Sequence, residues 1–273
     1  MIKMFLPFVL FVVVFAGNAQ ASETLRVAML PVWAPEITVK RINAMAEYLT
    51  EKLGQPVEPV VHQEFSAYMG AVKGGDIDIA YSAPVHTTRY SKGHEVVAMA
   101  IGGRWRDQLR GAIVVRNDSG IYRLEGLKGK RVGYNGPNAA GAGWSQILTL
   151  RKAGINEKKD IELIRAVNSK QANTLYSLYL GEIDAGFVRD TSVNMLEKYI
   201  AQSQLRVLAT TELLPNWGLS VKRTLPDRTR KAVQEAMVGL KKGTPVLEAM
   251  GLDGMRAADD SDYEVIRTAT SAN

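Results

Sequence analysis

The sequence contains no cysteine among its 273 residues. This absence excludes disulfide bonds, thiolate nucleophiles, thiolate metal sites and a lipid anchor on an N-terminal cysteine. Histidine is nearly as scarce, and His62, His86 and His94 show no HExxH or similar spacing typical of a metal site. We therefore expect no metal centre.

Long apolar runs are also missing, apart from one short run at the N-terminus. Lys3 supplies a positive charge, residues 5–15 are apolar, and Ala19-Gln20-Ala21 is a small-residue cleavage site. Together they predict a secretory signal peptide over residues 1–21, cleaved before Ser22. A membrane anchor is the alternative, but a spanning helix needs about 20 apolar residues. We expect an exported protein that is soluble after cleavage.

The charge balance is basic, with 34 Lys and Arg against 28 Asp and Glu and a formal net charge of +6. The basic residues are scattered along the chain rather than clustered, so we expect no nucleic-acid partner. A positive field of this kind favours an anionic small ligand.

An internal repeat at a spacing of about 105 residues organises the chain. The matched segments are 26–29 with 131–134, 57–60 with 161–164, and 75–81 with 181–187. Three matches in register predict two halves built alike.

In each half, strand patterns alternate with helical stripes. This alternation predicts an α/β class with parallel sheets flanked by helices, arranged as two similar lobes. We assign residues 22–115 to lobe 1, completed by residues 213–273, and residues 116–212 to lobe 2. The β-rich stretches 111–115 and 205–210 are read as paired crossover strands, about which the lobes would close on a cleft.

A glycine-rich stretch, GYNGPNAAGAGW at residues 133–144, follows the first strand of the second half. It lacks the lysine of a Walker loop and the spacing of the dinucleotide fingerprint, so we expect no nucleotide cofactor, and no other cofactor is indicated. We expect a helix to begin near residues 139–143, where free backbone N–H groups would favour an anion. A turn that only lets the helix pack closely on its strand is the alternative.

Four loops are expected at the carboxyl ends of the parallel strands, where ligands bind in such sheets. They are residues 31–36, 82–84, 135–144 and 188–192. In two facing lobes these loops would converge on one cleft.

The chain resembles the phosphate, phosphite and phosphonate-binding family of periplasmic solute receptors for ABC transporters, which have the type II periplasmic-binding-protein fold. The resemblance is carried by VAMLPVW (27–33), GDIDIAYSAP (75–84), GAIVVRNDSGI (111–121), LEGLKGKRVGYNGPNAAGAG (124–143), NSKQANTLYSLYLGEIDAG (168–186) and DDSDYEVIR (259–267). It implies a monomeric periplasmic protein that captures a phosphonate-like, phosphite-like or phosphate-like anion by lobe closure and presents it to a membrane permease.

The sequence departs from the family pattern at the expected ligand site. Ala139 and Ala140 stand where relatives usually offer Ser or Thr hydroxyls, Lys170 stands where a histidine is typical, and Arg189-Asp190 stand where acidic or small polar residues are common. Two hydroxyl donors are lost and two cations are gained, so a carboxylate gripped by Arg189 is an alternative ligand.

The expected ligand-binding residues are Trp33, Tyr81, Ser82, Asn135, Asn138, Ala139, Ala140, Gly141, Lys170, Arg189 and Asp190. For several of them a structural role is an alternative: packing for Trp33, helix capping for Ser82, and an ion pair with Asp190 or Glu197 for Arg189. A sensing subunit that docks on a membrane sensor kinase is the alternative function. No catalytic constellation stands out, so we expect no enzyme.

The signal-peptide hypothesis predicts the mass of the exported protein. Intact-mass spectrometry of the chain recovered from a periplasmic extract should give a protein that begins at Ser22. Recovery of the uncleaved chain in the membrane fraction would instead identify residues 1–21 as an anchor.

Overall fold

The computed structural model describes residues 23–194, 196 and 198–271. The predicted signal peptide lies outside the described residues. The strands are β1 (Leu25–Met29), β2 (Val57–Val60), β3 (Ile79–Ser82), β4 (His94–Ile101), β5 (Gln108–Leu109), β6 (Gly111–Arg116), β7 (Arg131–Tyr134), β8 (Glu162–Arg165), β9 (Ala185–Arg189), β10 (Leu205–Thr210), β11 (Leu214–Pro215), β12 (Gly218–Lys222) and β13 (Gly254–Ala257). The α-helices are α1 (Pro35–Leu53), α2 (Phe65–Gly74), α3 (Pro84–Arg89), α4 (Ser145–Lys152), α5 (Gln171–Tyr179), α6 (Asp227–Val238), α7 (Pro245–Met250) and α8 (Glu264–Ser271).

Two mixed sheets form the two lobes. The first has the order β13-β4-β12-β3-β1-β2 and the second has the order β10-β6-β9-β7-β8. In the first, β1 is parallel to both β2 and β3, and in the second, β7 is parallel to both β8 and β9. The remaining pairings are antiparallel. The two-lobed α/β fold is therefore confirmed, but the sheets are mixed because strands that arrive from the other lobe add to the parallel core.

The repeat extends to individual hydrogen bonds. The Asp78 carboxylate accepts from the backbone N–H of Arg26 at 2.9 Å, and the Asp184 carboxylate accepts from the N–H of Arg131 at 2.8 Å. Each aspartate N–H in turn donates to the carbonyl of the same arginine. In both halves, the same pair of hydrogen bonds therefore joins the beginning of the first strand to the residue before the third strand.

Helices cover both faces of each sheet. In β1, Leu25, Val27 and Met29 pack with α1, α6 and α7, whereas Ala28 packs with α2 on the opposite face. This period-two division is what a strand covered on both sides requires. Helices α4 and α5 cover opposite faces of the second sheet in the same manner.

A short two-stranded ribbon of β5 and β11 lies next to the strands that pass between the lobes. The stretches 111–115 and 205–210 do pair with each other, as β6 and β10, but both belong to the second sheet. Because β6 also pairs with β9, it belongs with lobe 2 rather than at the end of lobe 1. We therefore propose that the division of the chain lies near the ribbon.

His94 is buried at the start of β4, with a ring nitrogen, Nε2, 3.0 Å from the Ile77 carbonyl and with Nδ1 buried and unpaired. Burial lowers its pKa to about 4; the nearby charges of Lys222 and Arg223 act in the same direction, and that of Asp78 opposes them. A histidine that is neutral when folded stabilises the protein fully above its unfolded pKa of about 6.5, and this contribution is lost as the pH falls toward 4.

We predict that His94→Gln, which keeps an amide donor for the Ile77 carbonyl, flattens the acid limb of the stability profile. Between pH 7 and pH 4 the wild type should lose about 3 kcal/mol more than the variant. Urea denaturation at several pH values measures this difference. Parallel profiles for the two proteins would show that His94 does not titrate with unfolding.

Candidate functional site

The carboxyl ends of the parallel strands of the two sheets face each other. The indole N–H of Trp105, before the ribbon, donates to the Asp190 carboxylate just after β9. Nearby, Val85 of α3 shares an apolar cluster with Leu109, Ala140 and Trp144. The loops after β3, β7 and β9 are therefore brought together, as the sequence predicts.

The glycine-rich loop does not pass directly into a regular α-helix. Residues 140–144 form an irregular π-helical turn, and the regular helix α4 begins at Ser145; helical backbone thus starts at Ala140, within the predicted range, but the α-helix starts later. The reason lies in Gly143, whose φ and ψ are 179° and −74°. A Cβ atom there would lie 2.2 Å from the Gly136 carbonyl oxygen, so the loop folds back on itself only because Gly143 has no side chain.

Gln146 holds this turn in place. Its side chain is fully buried, and its amide nitrogen lies within hydrogen-bonding distance of the carbonyl oxygens of Gly141, Val188 and Ala112 at 2.9, 2.9 and 3.2 Å. Its carbonyl oxygen accepts from the N–H of Gly143 at 2.9 Å. One side chain thus fixes the loop to both β6 and β9.

The turn leaves two backbone donors without a partner. Within the described part of the chain, the N–H groups of Ala140 and Gly141 donate to no other group. Ala139 is half-buried, while Ala140 is buried in the apolar cluster between the lobes. The loop therefore offers backbone N–H groups and no hydroxyl, which suits close approach by an anion.

Asn135 and Asn138 flank this turn in different ways. The Asn135 amide donates to the Ser169 carbonyl and its oxygen accepts from Thr174, so its side chain is structural. Asn138 Oδ1 is buried and has no hydrogen-bond partner among the described residues. Lys170 is exposed at the start of α5, where two consecutive residues with positive φ, Asn168 and Ser169, turn the chain.

Arg189 lies against the glycine loop. A Cβ atom at Gly141 would come within 2.9 Å of Arg189 Cγ, so only glycine allows this packing. The Arg189 backbone N–H donates to Gln171 at 2.5 Å, which fixes the position of the chain. Its Nε is buried without a partner, and no described carboxylate lies within 4.0 Å of the guanidinium.

Asp190 makes no direct ion pair with Arg189. Its carboxylate accepts from Trp105, from Arg110 Nε at 3.4 Å and from the Thr191 N–H at 2.7 Å. The ion pair that the sequence allows between Arg189 and Asp190 is therefore replaced by one between Arg110 and Asp190. Glu197, the other expected partner, lies outside the described residues.

The first lobe contributes an aromatic wall. Trp217, which the sequence analysis missed, packs against Trp33 with ring centroids 4.9 Å apart and against Tyr81 at 5.2 Å. The guanidinium of Arg41 lies 4.2 Å from the centre of the Trp33 ring. The position of Trp217 directly before β12 is the sequence signal that could have identified it.

Ser82 is fully buried, and its hydroxyl lies 2.6 Å from that of Tyr68. It is not the cap of α3, because Ala83 occupies the N-cap position and no side chain caps that helix. The capping role is therefore wrong, and the buried hydroxyl is instead paired with that of Tyr68.

Electrostatics couple the two sides of the site. Burial raises the pKa of the Tyr81 hydroxyl, and the positive charges of Arg41 and Arg189 oppose that shift. Burial lowers the pKa of the Arg189 guanidinium, and Asp190 and Tyr81 oppose that shift. The Tyr81 hydroxyl is thus influenced by the charge of one arginine from each lobe.

Comparison with known families decides the class of protein. The profile of the family described as ABC transporter, phosphonate, periplasmic substrate-binding protein matches residues 27–263. The chain belongs to this family. It is therefore a substrate-binding component of the ABC-transporter type, as the sequence resemblance implies.

Several solved structures share this fold. A binding-protein component of an ABC phosphonate transporter from Pseudomonas aeruginosa has a TM-score of 0.72 at 14% identity, over 90% of this chain and 85% of that one. PhnD1 from Prochlorococcus marinus, in complex with methylphosphonate, has a TM-score of 0.74 at 16% identity, over 91% and 97%. A Xanthomonas citri protein bound to chloride ion has a TM-score of 0.78 at 12% identity, over 91% and 96%.

Among the residues that the structure describes, no helix is long and apolar enough to cross a membrane.

We predict that Gln146→Met destabilises the protein and weakens anion binding. The substitution removes the acceptor of the buried Gly143 N–H and the amide contacts that tie the Gly141 and Val188 carbonyls together, and an unsatisfied buried N–H costs about 1–3 kcal/mol. Denaturation and calorimetry with methylphosphonate measure both effects.

Leu150→Ala is the matched control, because it lies fully buried on the same helix and its loss should cost about 2–5 kcal/mol without touching the loop. Equal affinities of the two folded variants would show that Gln146 does not shape the binding loop.

Proposed function

We propose that this protein binds a phosphorus oxyanion of the phosphonate class between its lobes, in the periplasm, and delivers it to a membrane permease. The observation that carries the proposal is the half-buried Arg189 guanidinium, which has no carboxylate partner and packs on the glycine loop. Its role is recognition, with no bond made or broken, and the protein acts as a monomer.

The charge on Arg189 makes an anion the fitting ligand. Desolvation of a cation costs free energy unless an opposite charge or strong acceptor compensates it. Asp190 compensates this cost only in part, because its carboxylate is hydrogen-bonded to Trp105 and Arg110, and we infer that a ligand supplies the rest. A phosphonate group presents oxygen atoms that a guanidinium can bind in bidentate fashion.

The loop supplies the remaining donors. The free N–H groups of Ala140 and Gly141 lie next to the Arg189 stem. We infer that the charged guanidinium compensates for the hydroxyls lost at Ala139 and Ala140, because charge-assisted hydrogen bonds are about twice as strong as neutral ones. Proteins of similar fold in complex with methylphosphonate and bound to chloride ion support an anionic ligand.

Contacts between the lobes support closure as the mode of capture. Trp105 contacts Asp190, and Val85 shares a cluster with Ala140 and Trp144. The ribbon of β5 and β11 contributes Leu109 and Leu214 to that cluster. We infer that the lobes hinge there and enclose the anion.

We predict that Arg189→Gln lowers the affinity for methylphosphonate and phosphite by roughly 10- to 100-fold, the value of a hydrogen bond to a charged group. Isothermal titration calorimetry of the mature protein measures the change. Lys170→Gln should have a smaller effect because Lys170 is exposed.

Arg123→Gln is the matched control, since its side chain in the second lobe is 83% exposed and carries the same charge. If the wild type binds phosphonates tightly and Arg189→Gln binds them equally well, the role of Arg189 is contradicted. If no phosphorus oxyanion binds the wild type, the proposed ligand class is wrong.

A further inference from the structure

Arg41 and the aromatic wall form one continuous column in the first lobe. The order is Arg41, Trp33, Trp217 and Tyr81, with successive distances of 4.2, 4.9 and 5.2 Å between the guanidinium carbon and ring centres. The column draws on α1, on the loop before it, on β3 and on the residue before β12. These parts meet only in the folded lobe, at the carboxyl end of β3.

The rings in this column are poorly placed to bind a cationic ligand. An ammonium group binds the face of an aromatic ring. Here Arg41 lies over one face of Trp33, and Trp217 packs against both Trp33 and Tyr81. A positively charged substituent would also meet Arg41 and Arg189, which both act on Tyr81.

What the column offers instead is a set of hydrogen-bond donors. The Nε1 atoms of Trp33 and Trp217 and the hydroxyl of Tyr81 make no hydrogen bond to any described residue. Tyr81 is only 3% exposed, so its hydroxyl lies at the base of the column. These groups suit a ligand that is rich in acceptors.

Arg41 adds a second cation without a carboxylate partner. Its Nε donates to the Ala249 carbonyl at 3.2 Å, which fixes the guanidinium on the indole ring. No carboxylate of the described residues lies within 4.0 Å of it, and its terminal nitrogens make no hydrogen bond to them. Glu36, the acidic residue in the first turn of α1, is exposed.

We propose that the ligand is a phosphonate with a second anionic group, a carboxylate on its carbon chain. Arg189 and the glycine loop bind the phosphonate, and Arg41 with the indole N–H groups of the column binds the carboxylate. This inference rests on the proposed function and names the substrate class of the same site. It makes Arg41 a residue that determines specificity.

Three ligands of matched length test the proposal. They are 3-phosphonopropionate, its uncharged isostere 3-methylbutylphosphonate, and 3-aminopropylphosphonate; phosphonoacetate tests a shorter chain. Calorimetry on the mature wild type should give at least about tenfold tighter binding of a carboxylate-bearing ligand than of the isostere, with the amine weakest.

Arg41→Gln should remove this preference while leaving the affinity for 3-methylbutylphosphonate unchanged. Arg41→Lys keeps the charge and should retain part of the preference, which separates charge from any effect on folding. Arg26→Gln removes one exposed positive charge at the opposite end of β1 and should change nothing.

Three outcomes would overturn the inference. They are equal binding of the carboxylate ligands and the isostere by the wild type, tighter binding of the amine, and an unchanged preference in Arg41→Gln. In each case tight binding of any one phosphonate would leave the proposed function standing. Failure of every phosphonate would overturn both.

Discussion

A guanidinium withdrawn from water without a carboxylate beside it is an arrangement that proteins rarely keep, because the desolvated charge is costly. Arg189 is held in this state by several independent contacts. Its stem lies on Gly141, its backbone donates to Gln171, and the neighbouring Asp190 is turned toward Trp105 and Arg110. In the function we propose, the rest of the site is built around this charge, which binds the ligand.

The contacts around Arg189 explain why its guanidinium does not move to pair with a nearby acceptor. Gln146 fixes the carbonyls of Gly141 and Val188, and thereby the loop and the end of β9 that carries Arg189. The conformation of the loop in turn depends on Gly143, because a residue with a side chain at this position would clash with the Gly136 carbonyl. Positioning of this kind lets binding free energy go into contacts with the ligand rather than into ordering of the site.

Much of the fold could be predicted from the sequence because it rests on local patterns that occur twice. The matched segments became β1 and β7, β2 and β8, and β3 and β9, and the backbone contacts of Asp78 and Asp184 repeat in the structure. The mixed character of the sheets was not predictable in the same way. Strand β12 pairs with β3 although the whole second lobe lies between them in the chain, and no local sequence pattern predicts that pairing.

The candidate site was only partly accessible to sequence reasoning. The loop at residues 138–141 and Arg189 stand out by composition and by their place after a strand. Arg41, Gln146 and Trp217 do not, since each gains its role from a partner distant in sequence: Ala249, Val188 and Tyr81. Ser82 is the opposite case: its position at the end of a strand predicts a ligand contact, but in the structure its hydroxyl is paired with that of Tyr68.

The most direct test of the central claim is an NMR titration of the ¹⁵N-labelled mature protein with methylphosphonate. The account predicts that the backbone N–H signals of Ala140 and Gly141 and the Nε–H signal of Arg189 shift first and furthest downfield, as each donates to a phosphonate oxygen. Saturable binding that leaves these three signals in place, with the largest shifts elsewhere, would contradict it.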